Sequence, residues 1–404
     1  MQRRGARVVF VIEESFKGTL AAKGFEEQLM RLKPRPEVEE VPGQFWKDFI
    51  RETAPEFRKS PIDALETLTR PIWRELISGS MYVNDRLESI FQTVQPDVIV
   101  QDNVVAFAAV LTAATPWVRI VSCNPLELPD ATLPPVFSGL PTAEQSGWAR
   151  FRRVYADLHG GLHLEFDTFL RDHGCPPLPT DQFMYESPSL NLYNYPAELD
   201  YHRSVPLART WHRLESSVRS TDEPYTFAEA GRRTIYLSLG SLGSADTELM
   251  GRLIEVLGRA DYQVIVSMGP QHQELRLAGN MVGAEFLPQT SVLPRVDLVI
   301  THGGNNTVTE SIHFGKPMIV LPLFWDQHDN AQRVQETGFG VRLDPYRFRN
   351  DDLLDWIDHL VGDQRLAGRL ATISRRLQTA PGTVRAAELI EALARSRQPT
   401  RARP

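Results

Sequence analysis

The sequence contains few cysteines and no long apolar segment. Only Cys123 and Cys175 occur in 404 residues, which excludes a disulfide framework, and their spacing matches no zinc-binding pattern. The most apolar stretch, residues 98–114, is interrupted by three polar residues at 101–103. It therefore falls short of the roughly 18 consecutive apolar residues of a membrane-spanning helix, and a buried strand followed by a helix explains it better.

The chain also lacks an excess of basic residues. Its net charge is −7, whereas a nucleic-acid-binding protein usually carries a basic face. Residues 1–5 are basic, but the short apolar run after them ends at Glu13 and Glu14 and does not form a secretion signal. We therefore expect a cytoplasmic, reduced protein with no nucleic-acid partner and no transmembrane segment. The basic end, residues 394–404, is predicted to be a disordered tail.

What the chain has instead is an alternation of short β-branched runs with longer helical patterns, which is typical of βαβ units and parallel sheets. The predicted fold class is α/β, with two doubly wound, Rossmann-like domains that face a cleft between them. Two domains also suit the length. The predicted divisions are an N-terminal domain at 1–214, a linker at 215–232, a C-terminal domain at 233–385, and a helix end with its tail at 386–404.

The individual elements follow from the same alternation. In the first half, strands are predicted at 6–12, 38–41, 97–100 and 117–122, helices at 62–92 and 104–113, and loops with helices over 124–188. In the second half, strands are predicted at 234–239, 263–268, 284–287, 297–301, 317–321 and 340–343, with helices at 246–259, 306–314 and 327–337.

The segment 297–344 has the features of an anion site. A buried strand is predicted to end at Thr301, and the turn His302-Gly303-Gly304-Asn305 leads into a helix. Glycines at such a turn let backbone N–H groups approach an anion, and the helix N-terminus adds a positive dipole end. An ordinary βα turn explains the glycine pair alone equally well.

The side chains around this turn suit a nucleotide. His302 is a hydrogen-bond donor, and Asn306 and Thr307 lie in the first helical turn, where they can cap the helix or bind phosphate oxygens. Glu310 follows Asn306 by four residues, on the same helical face, where its carboxylate can accept the hydroxyls of a ribose.

A second strand–helix unit ends in polar residues that suit a sugar. Asp326 and Gln327 follow the predicted strand 317–321 and should point into the same crevice as His302. Carboxylate and amide groups form paired hydrogen bonds with sugar hydroxyls. The alternative is that Asp326 only caps the helix that begins at Gln327.

Several groups of residues follow one another in a fixed order here: Phe286-Leu287-Pro288-Gln289, Thr301 to Thr307, Glu310, Gly315-Lys316-Pro317, Asp326-Gln327 and Asn330. Their order and spacing resemble the signature of the family 1 UDP-glycosyltransferases, which include plant, animal detoxifying and bacterial macrolide enzymes. The resemblance implies a GT-B fold and a UDP-sugar donor, with no metal or other cofactor. It places the diphosphate at His302, Asn306 and Thr307, the ribose at Glu310, and the hexose at Asp326 and Gln327.

The resemblance assigns four more donor residues. Phe286 corresponds to the aromatic residue that stacks on uracil, where many members have Trp, and Gln289 to the residue that bonds the edge of the base. Gly240 and Ser241 correspond to the first donor-side loop. An Asp-Gln pair such as Asp326-Gln327 often accompanies UDP-glucose use in the family, so glucose is the first choice of sugar.

A weaker resemblance covers the N-terminal half and places Asp102 in a catalytic dyad. In the family a histidine removes the acceptor's proton and the aspartate orients it. That histidine normally follows the first strand, whereas this chain begins at what resembles the second strand, and its first histidine is His159. Truncation, natural loss of the base and a substitute base remain three explanations. His159 and His163 are not expected to bind a metal, because Gly160 and Gly161 disfavour a helix between them.

These observations predict an inverting glycosyltransferase that moves a hexose from a UDP-sugar to a hydroxyl of a small lipophilic acceptor. Two alternatives are a UDP-sugar-binding pseudoenzyme and a UDP-sugar epimerase. The acceptor prediction depends on an aromatic and apolar group, for which ordinary core packing is the competing explanation. Its members are Phe107, Trp148, Phe151, Phe166, Phe169, Phe183, Met184 and Tyr185.

Overall fold

The computed structural model describes residues 1–34, 52–219, 224–226 and 232–396. Within these residues every strand pairing is parallel, and the strands form sheets of two, four and six members. Helices lie between most successive strands, so the predicted α/β class with two doubly wound parts is confirmed. None of the described helices combines the length and apolar character needed to cross a membrane.

The N-terminal half contains the two smaller sheets. One pairs β1 (Val9–Glu13) with β2 (Glu26–Met30), and the other has the order β3 (Ile99–Asp102), β4 (Trp117–Val121), β5 (Leu190–Tyr193) and β6 (Trp211–Arg213). Their helices are α1 (Arg70–Val94), α2 (Ala108–Thr112) and α3 (Trp148–Asp172). The predicted strand at 38–41 lies outside the described residues.

Helix α3 contradicts the expectation that Gly160 and Gly161 interrupt the helix, since both glycines lie inside its 25 residues. Each costs only about 1 kcal/mol relative to alanine. One face of α3 compensates by burying large side chains, for which burial is worth about 1.5–3 kcal/mol each. The buried members of that face include Trp148, Phe151, Tyr155, Leu162, Phe166 and Leu170.

The C-terminal half is built on a six-stranded sheet with the order β12-β11-β10-β7-β8-β9. The strands are β7 (Thr234–Ser238), β8 (Gln263–Ser267), β9 (Met281–Ala284), β10 (Leu298–Thr301), β11 (Met318–Val320) and β12 (Gly340–Arg342). The predicted strand 284–287 was therefore placed too late. Every residue of β7 and β10 is buried, as expected for central strands covered on both faces.

The helices of this half alternate with its strands. They are α4 (Gly240–Gly243), α5 (Thr247–Leu257), α6 (Gln289–Val292), α7 (Asn305–His313), α8 (Gln327–Thr337), α9 (Asn350–Gly362), α10 (Gln364–Thr379) and α11 (Gly382–Arg395). Helix α11 returns to the N-terminal half, where Ile390 packs with Val118, Leu190 and Leu192 of the four-stranded sheet. Residues 397–404 of the predicted tail, like 220–223 and 227–231 of the predicted linker, lie outside the described residues.

The strand order determines where a ligand can bind. Counted from β7, the six-stranded sheet has the order 3-2-1-4-5-6, so the direction of winding reverses between β7 and β10. Ligands of such sheets bind in the crevice at the carboxyl ends of the two strands that flank this reversal. Ser238 and Thr301 are paired neighbours at that edge, and the loops after them carry the residues predicted to bind the donor.

Candidate functional site

The loops after β7 and β10 meet at the ring of His302. A Cβ atom on Gly240 would lie 2.7 Å from Cε1 of this ring, and one on Gly304 would lie 2.6 Å from Nε2. Both residues must be glycine for the imidazole to fit between the loops, and Gly240 also has a positive φ of 71°. The predicted loop at Gly240 and Ser241 therefore lies beside the predicted phosphate-binding turn.

Burial lowers the pKa of His302 to about 4. A hydrogen bond to the Ser238 backbone opposes this effect but is the smaller of the two. The imidazole is consequently neutral near pH 7. It can donate a hydrogen bond to a phosphate oxygen but adds no full positive charge. The positive end of α7, which begins at Asn305, supplies the remaining attraction for an anion.

The first turn of α7 places its three polar residues in different surroundings. Asn306 is exposed and Thr307 is buried. Asn305 is also buried, and its amide donates to the carbonyls of Ser122 at 2.8 Å and Asn194 at 3.2 Å. Asn305 thus joins α7 to the N-terminal sheet, a contact that the sequence did not predict.

Gln289 and Glu310 form one hydrogen-bonded unit. The Gln289 amide donates to Glu310 Oε2 at 2.6 Å and to the Thr307 hydroxyl at 3.3 Å, and its carbonyl accepts from the Tyr236 hydroxyl at 3.2 Å. Arg219 lies 3.5 Å from Glu310 Oε1. Burial raises the pKa of Glu310 above its usual range. The structure therefore brings together the residues predicted for the base edge and for the ribose.

Phe286 precedes this unit and is unusually exposed for an aromatic residue. Its side chain is 64% exposed, so a flat apolar surface is presented to solvent beside Gln289. An exposed aromatic face next to a polar amide is suited to stacking on a nucleobase.

The start of α8 is bonded to the N-terminal half. Asp326 is buried, and its Oδ2 accepts the backbone N–H of Asn124 at 2.9 Å. Burial raises the pKa of Asp326 to about 7. Gln327 uses its Oε1 to accept the N–H groups of Leu323 and Phe324 at 3.0 and 3.1 Å. The side-chain oxygen of Gln327 thus holds the loop at residues 323–324, and its side-chain nitrogen is left for a ligand.

Comparisons with known proteins bear on this site directly. Residues 218–381 match the family model described as UDP-glucoronosyl and UDP-glucosyl transferase. The NDP-glycosyltransferase YjiC of Bacillus subtilis is 25% identical over 322 residues, which are 78% of either chain. The zeaxanthin glucosyltransferase of Pantoea ananas is 25% identical over 331 residues, or 78% of this chain and 75% of that one.

Solved structures agree on the fold. The calicheamicin glycosyltransferase CalG4 superposes with a TM-score of 0.70 at 18% identity, covering 98% of this chain and 93% of its own. The glycosyltransferase of kitacinnamycin gives a TM-score of 0.69 at 20% identity, with 97% and 93% covered. The chain is thus similar to glycosyltransferases of family 1 over most of its length, with the match to the family model at residues 218–381. It has the GT-B fold and transfers a sugar from a nucleotide-sugar donor.

In this glycosyltransferase, Asp102 ends strand β3 as predicted. Its carboxylate accepts a hydrogen bond from the Ser122 hydroxyl at 2.6 Å. Desolvation by the surrounding protein raises the pKa of Asp102 above its usual range, and the Ser122 bond opposes that rise. All ten histidines of the sequence lie in the described part of the chain, and Asp102 is not hydrogen-bonded to any of them there.

The glycosyltransferase also has a cavity of about 340 Å³ in its N-terminal half. Phe151, Phe183 and Met184, which the sequence suggested for the acceptor, line it. The other residues of that group do not line it, and Phe107, Trp148, Phe166 and Tyr185 are buried in the core. Trp73, Phe137 and Tyr155 also line the cavity, and nothing in their local sequence distinguished them from core residues.

Five charged residues interrupt the apolar lining of this cavity, namely Arg119, Glu127, Asp130, Arg152 and Asp181. Arg119 is 2% exposed and pairs with Glu127 at 2.7 Å. Desolvation raises the pKa of Glu127, and the attraction of Arg119 opposes it. The Arg119 Nε atom has no hydrogen-bond partner among the described residues. Arg119 and Glu127 therefore add a polar part to a mainly apolar lining.

The cavity adjoins the loop before α8 through aromatic contacts. The ring of Trp325, one residue before Asp326, lies 4.2 Å from that of Phe137 and 5.0 Å from that of Trp73, measured between centroids. The rings of Phe137 and Trp73 therefore separate the cavity from the loop that carries Asp326 and Gln327.

Proposed function

We propose that this glycosyltransferase moves a hexose, with glucose the first choice, from UDP to a hydroxyl of a small lipophilic acceptor. The acceptor oxygen bonds to the anomeric carbon as the bond to UDP breaks on the opposite face, which inverts the configuration. The observation that carries the proposal is the contact between the aromatic cavity and the loop before Asp326. It brings an apolar pocket of acceptor size next to a crevice suited to a nucleotide sugar.

On the donor side, the proposal assigns the uracil to Phe286, the ribose to Glu310 and the diphosphate to His302 with the first turn of α7. A helix N-terminus and a neutral imidazole stabilise phosphate oxygens without a metal. Gln289 holds Glu310 through its 2.6 Å hydrogen bond and keeps that carboxylate oriented toward the ribose hydroxyls.

On the hexose side, Asp326 retains an oxygen for sugar hydroxyls. Its Oδ2 is taken by the Asn124 N–H and, at 3.3 Å, by the Asn330 amide. Oδ1 is the atom proposed to accept from the hexose, and the Gln327 amide nitrogen is proposed to donate to it. The proton of the acceptor hydroxyl is proposed to pass to the carboxylate of Asp102, whose raised pKa favours taking it up.

A second candidate function is nucleotide-sugar binding without transfer. The observation that favours it is the environment of Asp102, whose hydrogen-bond partner is Ser122 rather than a histidine. A carboxyl without a histidine partner is a weak base for the proton of an alcohol. Such a protein would bind UDP-glucose with the same donor residues yet release no UDP.

The test is UDP release from UDP-glucose, measured with and without a panel of phenols, flavonoids and macrolides, together with the mass of each product. Acceptor-dependent release with a hexose-sized mass gain supports transfer. Asp326→Ala should abolish acceptor-dependent UDP release, whereas Asp355→Ala, which changes an exposed aspartate of α9, should not. UDP binding without release under every condition would refute transfer and leave the binding function.

A further inference from the structure

The buried carboxylate of Asp329 connects the donor helix to the wall of the acceptor cavity. It lies in α8, three residues after Asp326. Its two oxygens accept the backbone N–H groups of Phe137 at 2.6 Å and Gly139 at 2.8 Å, about 190 positions earlier in the chain. Since both bonds go to main-chain amides, they fix the course of the loop and not merely one side chain.

The loop needs such a constraint because its backbone is unusual. Phe137 has φ 66° and Gly139 has φ 57°, and the left-handed region is strongly disfavoured for a bulky residue such as Phe. A strained conformation of this kind persists only where its surroundings determine it. At Gly139 a Cβ atom would lie 2.9 Å from the Cβ of His328, so this segment of loop packs directly on α8.

The constraint matters for the acceptor because Phe137 lines the cavity. Its ring also contacts Trp325, which itself has a left-handed φ of 57°. The two aromatic rings form the boundary between the cavity and the donor loop. Asp329 thus determines the position of a ring that an acceptor would touch, without touching the acceptor itself.

We propose that Asp329 is a positioning residue for the acceptor: it fixes the Phe137 wall of the cavity to the donor helix, so that a lipophilic acceptor is held against the donor sugar. The inference rests on the proposed function for the identity of the cavity's ligand. The inference goes beyond the proposed function because it assigns a role in acceptor affinity to Asp329, a residue of the C-terminal domain that contacts neither substrate.

The test is Asp329→Asn, which keeps the size of the side chain but leaves one oxygen to accept two N–H groups. We expect the acceptor KM to rise by roughly ten-fold or more, the range for a buried N–H group that loses its hydrogen-bond partner. The Kd for UDP should stay within about two-fold, because no donor group is altered. An unchanged acceptor KM would overturn the proposal.

The matched control is Glu336→Gln on the same helix. Glu336 also accepts from the N-terminal half, taking the Thr142 N–H at 2.7 Å and its hydroxyl at 3.0 Å, but Thr142 does not line the cavity. This variant should leave the acceptor KM within about two-fold. Equal increases in both variants would mean that only the attachment of the two halves matters, which also overturns the proposal.

Two further measurements keep the proposal testable. If Asp329→Asn does not fold, Phe137→Leu removes the ring while leaving both main-chain bonds, and it should raise the acceptor KM while UDP binds normally. An unchanged KM in that variant would refute the role of the wall. If the wild type transfers nothing, the proposed function fails separately. Acceptor affinity is then read from quenching of the protein's tryptophan fluorescence by a flavonoid, and the ratios of Kd between the variants and the wild type should match those expected for KM.

Discussion

Replacing Glu310 by glutamine should weaken the binding of uridine diphosphate far more than that of 2′-deoxyuridine diphosphate. Glu310 is 4% exposed and is held by the Gln289 amide at 2.6 Å, so its remaining lone pairs are the proposed acceptors for the ribose hydroxyls. A hydrogen bond to a charged group contributes about 1.5–3 kcal/mol, which corresponds to about 10- to 150-fold in Kd. The wild type should therefore prefer the ribonucleotide by at least about ten-fold.

The assay is isothermal titration calorimetry of both nucleotides with the wild type, Glu310→Gln and the exposed-carboxylate control Glu255→Gln. Glu310→Gln should lose most of the preference for the ribonucleotide, and Glu255→Gln should retain it. Equal weakening of both nucleotides by Glu310→Gln would refute the reasoning, since the residue would then act through the Gln289 network rather than through the 2′-hydroxyl. The same comparison bears on the choice between UDP- and TDP-sugars, because thymidine diphosphate also lacks that hydroxyl.

Three further predictions address pH, packing and stacking. Burial raises the pKa of Asp326 to about 7 and of Asp329 to about 8, above an unfolded value near 4. Their stabilising contribution is therefore complete below about pH 4 and is lost as the pH rises through 7 to 8. Between pH 4 and pH 8 the free energy of urea unfolding should therefore fall less in Asp329→Asn than in the wild type. Gly240→Ala should displace His302 and weaken UDP binding at least about ten-fold, because its Cβ would lie 2.7 Å from the ring; unchanged affinity by calorimetry would contradict this. Phe286→Ala should weaken UDP binding by about 1–3 kcal/mol with an unchanged melting temperature, since the side chain is 64% exposed, and a lowered melting temperature would instead indicate a packing role.

The sequence predicted those parts of the site that depend on local order along the chain. A buried strand, a glycine turn and a helix start follow one another from Thr301 to Thr307, and the structure has these elements with the helix beginning at Asn305. The spacing from Asn306 to Glu310 is a helical spacing, so their common face was also predictable. The roles of these residues toward a ligand remain predictions.

Contacts between distant segments could not be predicted in this way. Asn305 bonds Ser122 and Asn194 across 183 and 111 positions, and Asp329 bonds Phe137 across 192, yet each looks like an ordinary polar helix residue in its local sequence. Strand β2 was missed because Glu26, Glu27 and Gln28 are polar and only half-buried, which gives no apolar alternation. The continuity of helix α3 through Gly160 and Gly161 was missed because the propensity of the two glycines was weighed without the burial that outweighs it.

The central claim, that a sugar passes from UDP to an acceptor in the aromatic cavity, is tested most directly by following the sugar itself. The protein is incubated with UDP-glucose carrying a uniformly ¹³C-labelled glucose and with a lipophilic phenol, and the labelled products are identified by mass spectrometry. The account predicts that the label appears in the phenol glucoside in equal amount to the UDP released. Release of UDP with free labelled glucose, or binding of UDP-glucose with no release, would contradict it.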